Sequence, residues 1–250
     1  MQDRPLKKSK NFTFYTLYFA ICLALTITSF FFFPLPTFAQ PANSLQYQFQ
    51  PQQTVRYRVD LRHEVKIAED LPVTTKVIFQ ASVRTVEVDS CGTAMFEAKV
   101  EQFSVKNTLG SKETVVPAAL APGQTAQFRV GPSGLLPGQD VLKGSSGPPW
   151  NLFLSHVFPD LTCCRYLGPA VFNGQPCARI GFDLVAPFSA QTRGYNQGKG
   201  TGLFAGGRLV SGETQGNVDL GYNLSSSEQS DNPVKISAKG GFSSRLSLLP

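Results

Sequence analysis

From Thr54 to Ile67, apolar Val55, Tyr57, Val59 and Leu61 alternate with Arg56, Arg58, Asp60 and Arg62. Successive side chains of a strand point to opposite faces, so this run predicts a strand with one apolar and one charged face. Thr74–Val88 repeats the pattern with Val77, Phe79, Ala81 and Val83, then shifts phase to Val86 and Val88. A one-residue phase shift is what a β-bulge produces. Ala94, Phe96, Ala98 and Val100 alternate with Met95, Glu97, Lys99 and Glu101, and a second shift brings in Phe103 and Val105. Asp89-Ser-Cys-Gly92 between these runs has turn chemistry. Strands joined by tight turns pair antiparallel, so residues 54–105 predict a meander.

The pattern then breaks. Residues 117–149 carry prolines at 117, 122, 132, 137, 148 and 149, with one short strand predicted over 124–130. Residues 150–161 give the best helical run, with Leu152, Phe153 and His156 at helical spacing and Pro159 ending it. Residues 131–175 therefore read as a Pro/Gly-rich cap or insertion, too poor in apolar periodicity for a core of its own. Strand patterns return in Ala178, Ile180, Phe182 and Leu184, then in Val218, Leu220, Tyr222 and Leu224, and finally in Val234, Ile236 and Ala238. Between them, 200–204 and 208–214 flank Gly206-Gly207, a hairpin signal because both turn residues need positive φ. Roughly eight to ten strands are predicted. The expected fold is mainly β: a curved antiparallel sheet, half-barrel or barrel, with one short helix. Residues 40–53, rich in Gln, Pro and Asn, read as a leader into it.

The first 39 residues change the picture of where this domain works. Arg4, Lys7, Lys8 and Lys10 precede an uncharged apolar run from Phe12 to Phe33, then Pro34 and Pro36, then Thr37-Phe-Ala39. That order predicts a secretory signal cut before Gln40, with 40–250 as a single domain in the periplasm or outside the cell. The apolar run is also long enough to serve as an uncleaved anchor. Cys22 lies inside that run, which excludes a lipoprotein cysteine. The chain has 23 basic and 17 acidic residues, a formal +6. Removing residues 1–39 leaves 19 and 16, so the domain is near +3 and has no basic stripe pointing to nucleic acid. In an oxidising compartment, Cys91, Cys163, Cys164 and Cys177 are expected in disulfides rather than around a metal.

Catalytic motifs are weak. Gly200-Thr-Gly202-Leu-Phe-Ala205 matches a dinucleotide pattern but lacks the strand before it and the helix after it. Gly194 to Lys199 falls one residue short of a phosphate loop and lacks the Ser or Thr that follows the lysine. No cofactor and no metal is expected. The only imidazoles are His63 and His156. His63, between Arg62 and Glu64, reads as a solvated strand residue. Ser155-His156…Asp160 has the residue types of a hydrolase triad without a Gly-x-Ser-x-Gly elbow. An extracellular hydrolase using His156 is one alternative, and an outer-membrane β-barrel, suggested by alternating strands after a signal, is another. The balance favours a non-enzyme.

Val55-Arg-Tyr-Arg-Val59, the Val83…Val88 and Ala94…Val100 meander, Phe158-Pro-Asp-Leu161 and the Gly-rich hairpin at 198–211 together resemble exported bacterial β-rich domains of unknown function. They are similar to the periplasmic lipoprotein-carrier half-barrels. The resemblance implies a curved sheet whose apolar concave face holds a lipid or acyl chain. The leading reading is an exported domain that binds a hydrophobic ligand or a cell-envelope partner through its sheet face. On that reading Tyr57, Val59, Phe79, Phe96 and Val100 are the candidate ligand face.

Overall fold

The computed structural model describes residues 45–67, 71–117, 119–135, 143–144, 148–187, 193–224 and 234–250. The expected export segment lies outside them. The chain forms strands β1 (Thr54–Ile67), β2 (Leu71–Val88), β3 (Ala94–Leu109), β4 (Lys112–Val116), β5 (Thr125–Gly131), β6 (Gly134–Leu135) and β7 (Lys143–Gly144). Helix α1 (Pro148–Val157) follows, then β8 (Arg165–Phe172), β9 (Gln175–Pro187), β10 (Arg193–Ala205), β11 (Arg208–Leu224) and β12 (Val234–Leu249). The sheet is antiparallel in the order β6-β5-β3-β2-β1-β12-β11-β10-β9-β8, with β4 also on β3 and β7 also on β5. It is strongly curled and open, a half-barrel. The twelve strands among the described residues exceed the expected eight to ten because β4, β6 and β7 are too short to carry a period.

The two phase shifts are bulges in the β2–β3 ladder. Gln80 and Ala81 face Gln102 and Val100, leaving Glu101 extra on β3; Thr85 and Glu87 face Phe96 and Met95, leaving Val86 extra on β2. The bulge turns Glu101 toward Arg56, which grips it in a two-pronged ion pair at 2.9 Å. The Gly-Gly hairpin also forms as expected: Gly206 and Gly207 have φ of 55° and 71° and join β10 to β11.

One face of the sheet is mostly apolar, with His63, Thr214 and Ser244 buried among its apolar side chains. Tyr57, Val59 and Leu61 of β1, Phe79 of β2, Phe96 and Val100 of β3, Phe128 of β5, Ile180 and Phe182 of β9 and Leu246 of β12 are all buried. Fully burying each large side chain contributes roughly 1.5–3 kcal/mol. Helix α1 lies on this face. Its prolines occupy the first turn, where missing donors cost nothing, and Trp150, Phe153, Leu154 and Val157 form the buried i, i+3, i+4, i+7 stripe. Of the three residues at helical spacing, Phe153 and His156 are buried, and Leu152 is half-buried against the Leu61, Leu184, Val218 and Phe242 cluster. Phe158 continues the helix by one bond, its N–H donating to Leu154 at 2.8 Å. Within the expected cap of 131–175, β8 is a strand of the main sheet, paired with β9.

Residues 45–49, expected as part of a leader, instead form a strap over the apolar face. Tyr47 donates its N–H to Pro132 and Gln48 to Gly207, at 2.8 and 2.9 Å. Leu45, Tyr47 and Phe49 all pack into the core, and the Tyr47 hydroxyl donates to the Pro159 carbonyl at 3.2 Å.

Candidate functional site

The five nominated ligand-face residues share the apolar face, and all are core. Tyr57, Val59, Phe79 and Phe96 are 2% exposed and Val100 1%. Phe79 lies 4.5 Å from the Phe153 ring and 5.0 Å from Trp150, centroid to centroid, and Phe96 lies 5.3 Å from Phe158. The chain's own helix and strap thus occupy the position expected for a ligand. Burial pushes the Tyr57 phenol up to about 12.

His63 is not the solvated group expected from its charged neighbours. It is only 6% exposed, because its odd position on β1 puts it on the face of Tyr57, Val59, Leu61 and Val65. It packs against Phe242, 6.2 Å away across the pairing with β12. Burial lowers its pKa to about 4, with the nearby His156 adding to the shift and Asn196 opposing it. His156 is 2% exposed, and its Nδ1–H donates to the Leu152 carbonyl at 2.7 Å. Burial lowers it to about 4 as well. The triad residue types around it do not meet: Ser155 Oγ donates to Asn151 O at 2.8 Å, and the Asp160 carboxylate takes the Thr162 N–H and hydroxyl.

The four cysteines in the described residues are free thiols, which corrects the disulfide expectation. Cys163 lies exposed beside the Thr162 hydroxyl, whereas Cys164 turns to the Asp160 carbonyl at 3.5 Å and packs on the core. Cys91 occupies the β2–β3 turn and Cys177 is buried in β9, on strands far apart in the sheet order. Burial pushes the Cys164 thiol up to about 12 and raises Cys177 too. The thiolate is the reactive form. In reduced protein, Cys91 and Cys163 are therefore expected to alkylate in the native state, and Cys164 and Cys177 only after unfolding. Peptide mass mapping after timed iodoacetamide labelling checks this; equal rates at Cys163 and Cys164 would contradict it.

The glycine motif has a packing role. Gly198, Gly200 and Gly202 alternate along the inner face of β10. A Cβ at Gly198 would stand 2.9 Å from the Phe242 ring, one at Gly200 2.5 Å from Phe182, and one at Gly202 2.6 Å from Leu209. Neighbouring side chains lie on bare backbone there, so the spacing that mimics a dinucleotide loop is an aromatic-packing device.

A broad concavity lies on the other, charged side of the sheet. A groove of about 1050 Å³ crosses from β2 to β8, walled by Arg58, Asp60 and Arg62 of β1, Lys76 of β2, Lys199 of β10, Glu213 of β11 and Arg245 of β12. Arg165 and Leu167 of β8 close one end, where Leu167 packs on Gly181. Thr201, Gln215 and Ser243 add hydroxyl and amide groups. Sequence reading missed this site because it is assembled by register across seven strands. The wet-face arginines and lysines were visible, but not that they face one another.

Fold and groove define an open antiparallel half-barrel packed by its own helix on the apolar side and grooved on the charged side. No protein-family model matches the chain, and no curated protein matches its sequence.

Proposed function

We propose that this chain is an exported, non-enzymatic binding module of the cell envelope that works through the outward groove of its half-barrel. The observation that carries the reading is the groove itself: about 1050 Å³ of open, charged surface, on a protein whose two imidazoles are buried away from it. A site that binds without turnover needs concave surface and fixed polar groups, and this face supplies both. Export rests on the basic, apolar and small-residue order of the first 39 residues.

A second reading keeps the carrier resemblance: a lipid or acyl chain would take the apolar face once α1 and the strap move off it. In its favour, the cover consists of a 10-residue helix and a short strap, neither of which is a strand of the sheet. Native mass spectrometry of protein recovered from the periplasm of an expressing bacterium, with lipid extraction of the same sample, separates the two. The groove reading expects a mass starting at Gln40 and no bound lipid. A co-purifying acyl species that is lost in a folded Phe153→Asp variant would replace it with the carrier reading. Protein retained in the cytoplasm would overturn both.

A further inference from the structure

We infer that the outward groove binds an acidic polysaccharide, a hydroxyl-rich chain bearing carboxylate groups, and this rests on the binding-module reading above. Among the described residues, the groove is lined by six basic side chains against two carboxylates. The two acids are already engaged: Asp60 pairs with Arg58 at 2.9 Å and Glu213 with Arg245 at 2.8 Å. Among the described residues, Lys76, Arg165 and Lys199 make no ion pair. Asp183 stands opposite Lys199 in register without pairing to it.

The charges are also ordered. Register places Lys76, Arg62, Ser243, Gln215 and Lys199 in one row across five strands. Lys76 and Arg62 stand directly opposite each other, an arrangement that weakens a sheet. Glu64, two residues along β1, takes Arg62 at 2.5 Å and leaves Lys76 outward. Between the cations the row offers a hydroxyl and an amide. At about 4.8 Å per strand, the groove spans roughly 30 Å along the sheet, the length of an extended oligomer rather than a single headgroup.

The lining also discriminates between polyanions. Among the described residues it contains no Phe, Tyr, Trp or His. Single-stranded nucleic acid is held largely by stacking on aromatic rings, worth about 1–3 kcal/mol per base, and the described lining offers no such platform. Cations interleaved with hydroxyl and amide groups suit alternating carboxylates and sugar hydroxyls instead.

The test is calorimetric titration of the full chain with polygalacturonate oligomers at low salt, beside dextran, a single-stranded DNA oligomer and phosphatidylglycerol vesicles. The expected result is saturable binding of polygalacturonate, none of dextran, and at least tenfold weaker binding of DNA and vesicles. Lys76→Glu with Arg165→Glu and Lys199→Glu should abolish it at unchanged melting temperature, while Lys112→Glu, outside the groove, leaves it intact. Lys199→Glu alone, expected to weaken binding at least threefold, serves if the triple variant does not fold. Polygalacturonate binding that survives these changes overturns the inference. DNA or vesicle binding that equals polygalacturonate binding and is lost in the triple variant overturns the glycan but keeps the module. No binding of any probe overturns both.

Discussion

Acidification from pH 7 to pH 4 is expected to remove several kcal/mol of folding stability, most of it through two histidines. His63 and His156 are neutral in the core, with pKa lowered to about 4 by burial, against 6.5 in an open chain. Below pH 6.5 the unfolded chain takes up protons that the folded chain refuses until near pH 4. The unfolded state therefore binds more protons across this window, and stability falls as pH falls. At 1.36 kcal/mol per pKa unit, each ring contributes about 3 kcal/mol, fully present above pH 6.5 and lost by about pH 4. Charging one ring opposes charging the other, so the two effects are not independent. Glu101, held below the usual carboxylate range first by its hydrogen bond from Arg56, adds its loss only at the acid end of the window.

The check is a series of urea midpoints between pH 4.5 and 7.5 for the wild type, His63→Phe and His156→Leu. Each substitution should flatten the slope by roughly half whatever it does to stability at pH 7. An unchanged slope in both variants would assign the acid sensitivity elsewhere. This measurement also bears on chemistry. A hydrolase needs a base that titrates near its working pH and meets solvent or substrate, and these rings do neither.

How much of this could be seen in the sequence depends on the distance over which the determining contact acts. β1, the bulged pair β2 and β3, the Gly-Gly hairpin and α1 are written in local periodicity, and all form. β8 carries Pro169 and a Gly168 at φ 121°, which break its pattern, although the edge position tolerates both. β12 continues past Ala238 through Gly240, Gly241 and a Ser-rich run, so beyond Ala238 only Phe242, Leu246 and Leu248 mark its apolar face. The strap had a clear signal that composition obscured: Leu45, Tyr47 and Phe49 alternate strictly with glutamines. His63 was hidden in a similar way, by charged neighbours that outweighed its parity with Tyr57 and Leu61. The groove had no local signal, since a row of Lys76, Arg62 and Lys199 exists only once register is fixed.

Replacing Phe158 with alanine is expected to cost about 3–5 kcal/mol, the range for removing a buried aromatic side chain. Phe158 is 4% exposed and sits where strap, helix end and sheet converge. Its ring lies 5.6 Å from Tyr47, 6.3 Å from Phe49, 6.5 Å from Tyr57, 5.3 Å from Phe96 and 6.0 Å from Phe128. Edge-on and offset pairs of this kind add to area burial, and the change leaves a void that fixed strands cannot collapse to fill. Urea denaturation measures the total; a loss under about 1.5 kcal/mol would mean that the site repacks. Hydrogen exchange on the same variant tells which elements bear the loss. If strap and helix are an integral part of the core, protection should fall throughout the sheet. If they form a cover that releases as a unit, residues 45–49 and 148–158 should lose protection while β1, β2 and β3 keep theirs. The first pattern is expected from the interlocked rings of Tyr47, Phe96 and Phe158, and it would leave the charged groove as the surface available to a ligand. The second would reopen the apolar face to an acyl chain, with Phe158 as the residue that holds it shut.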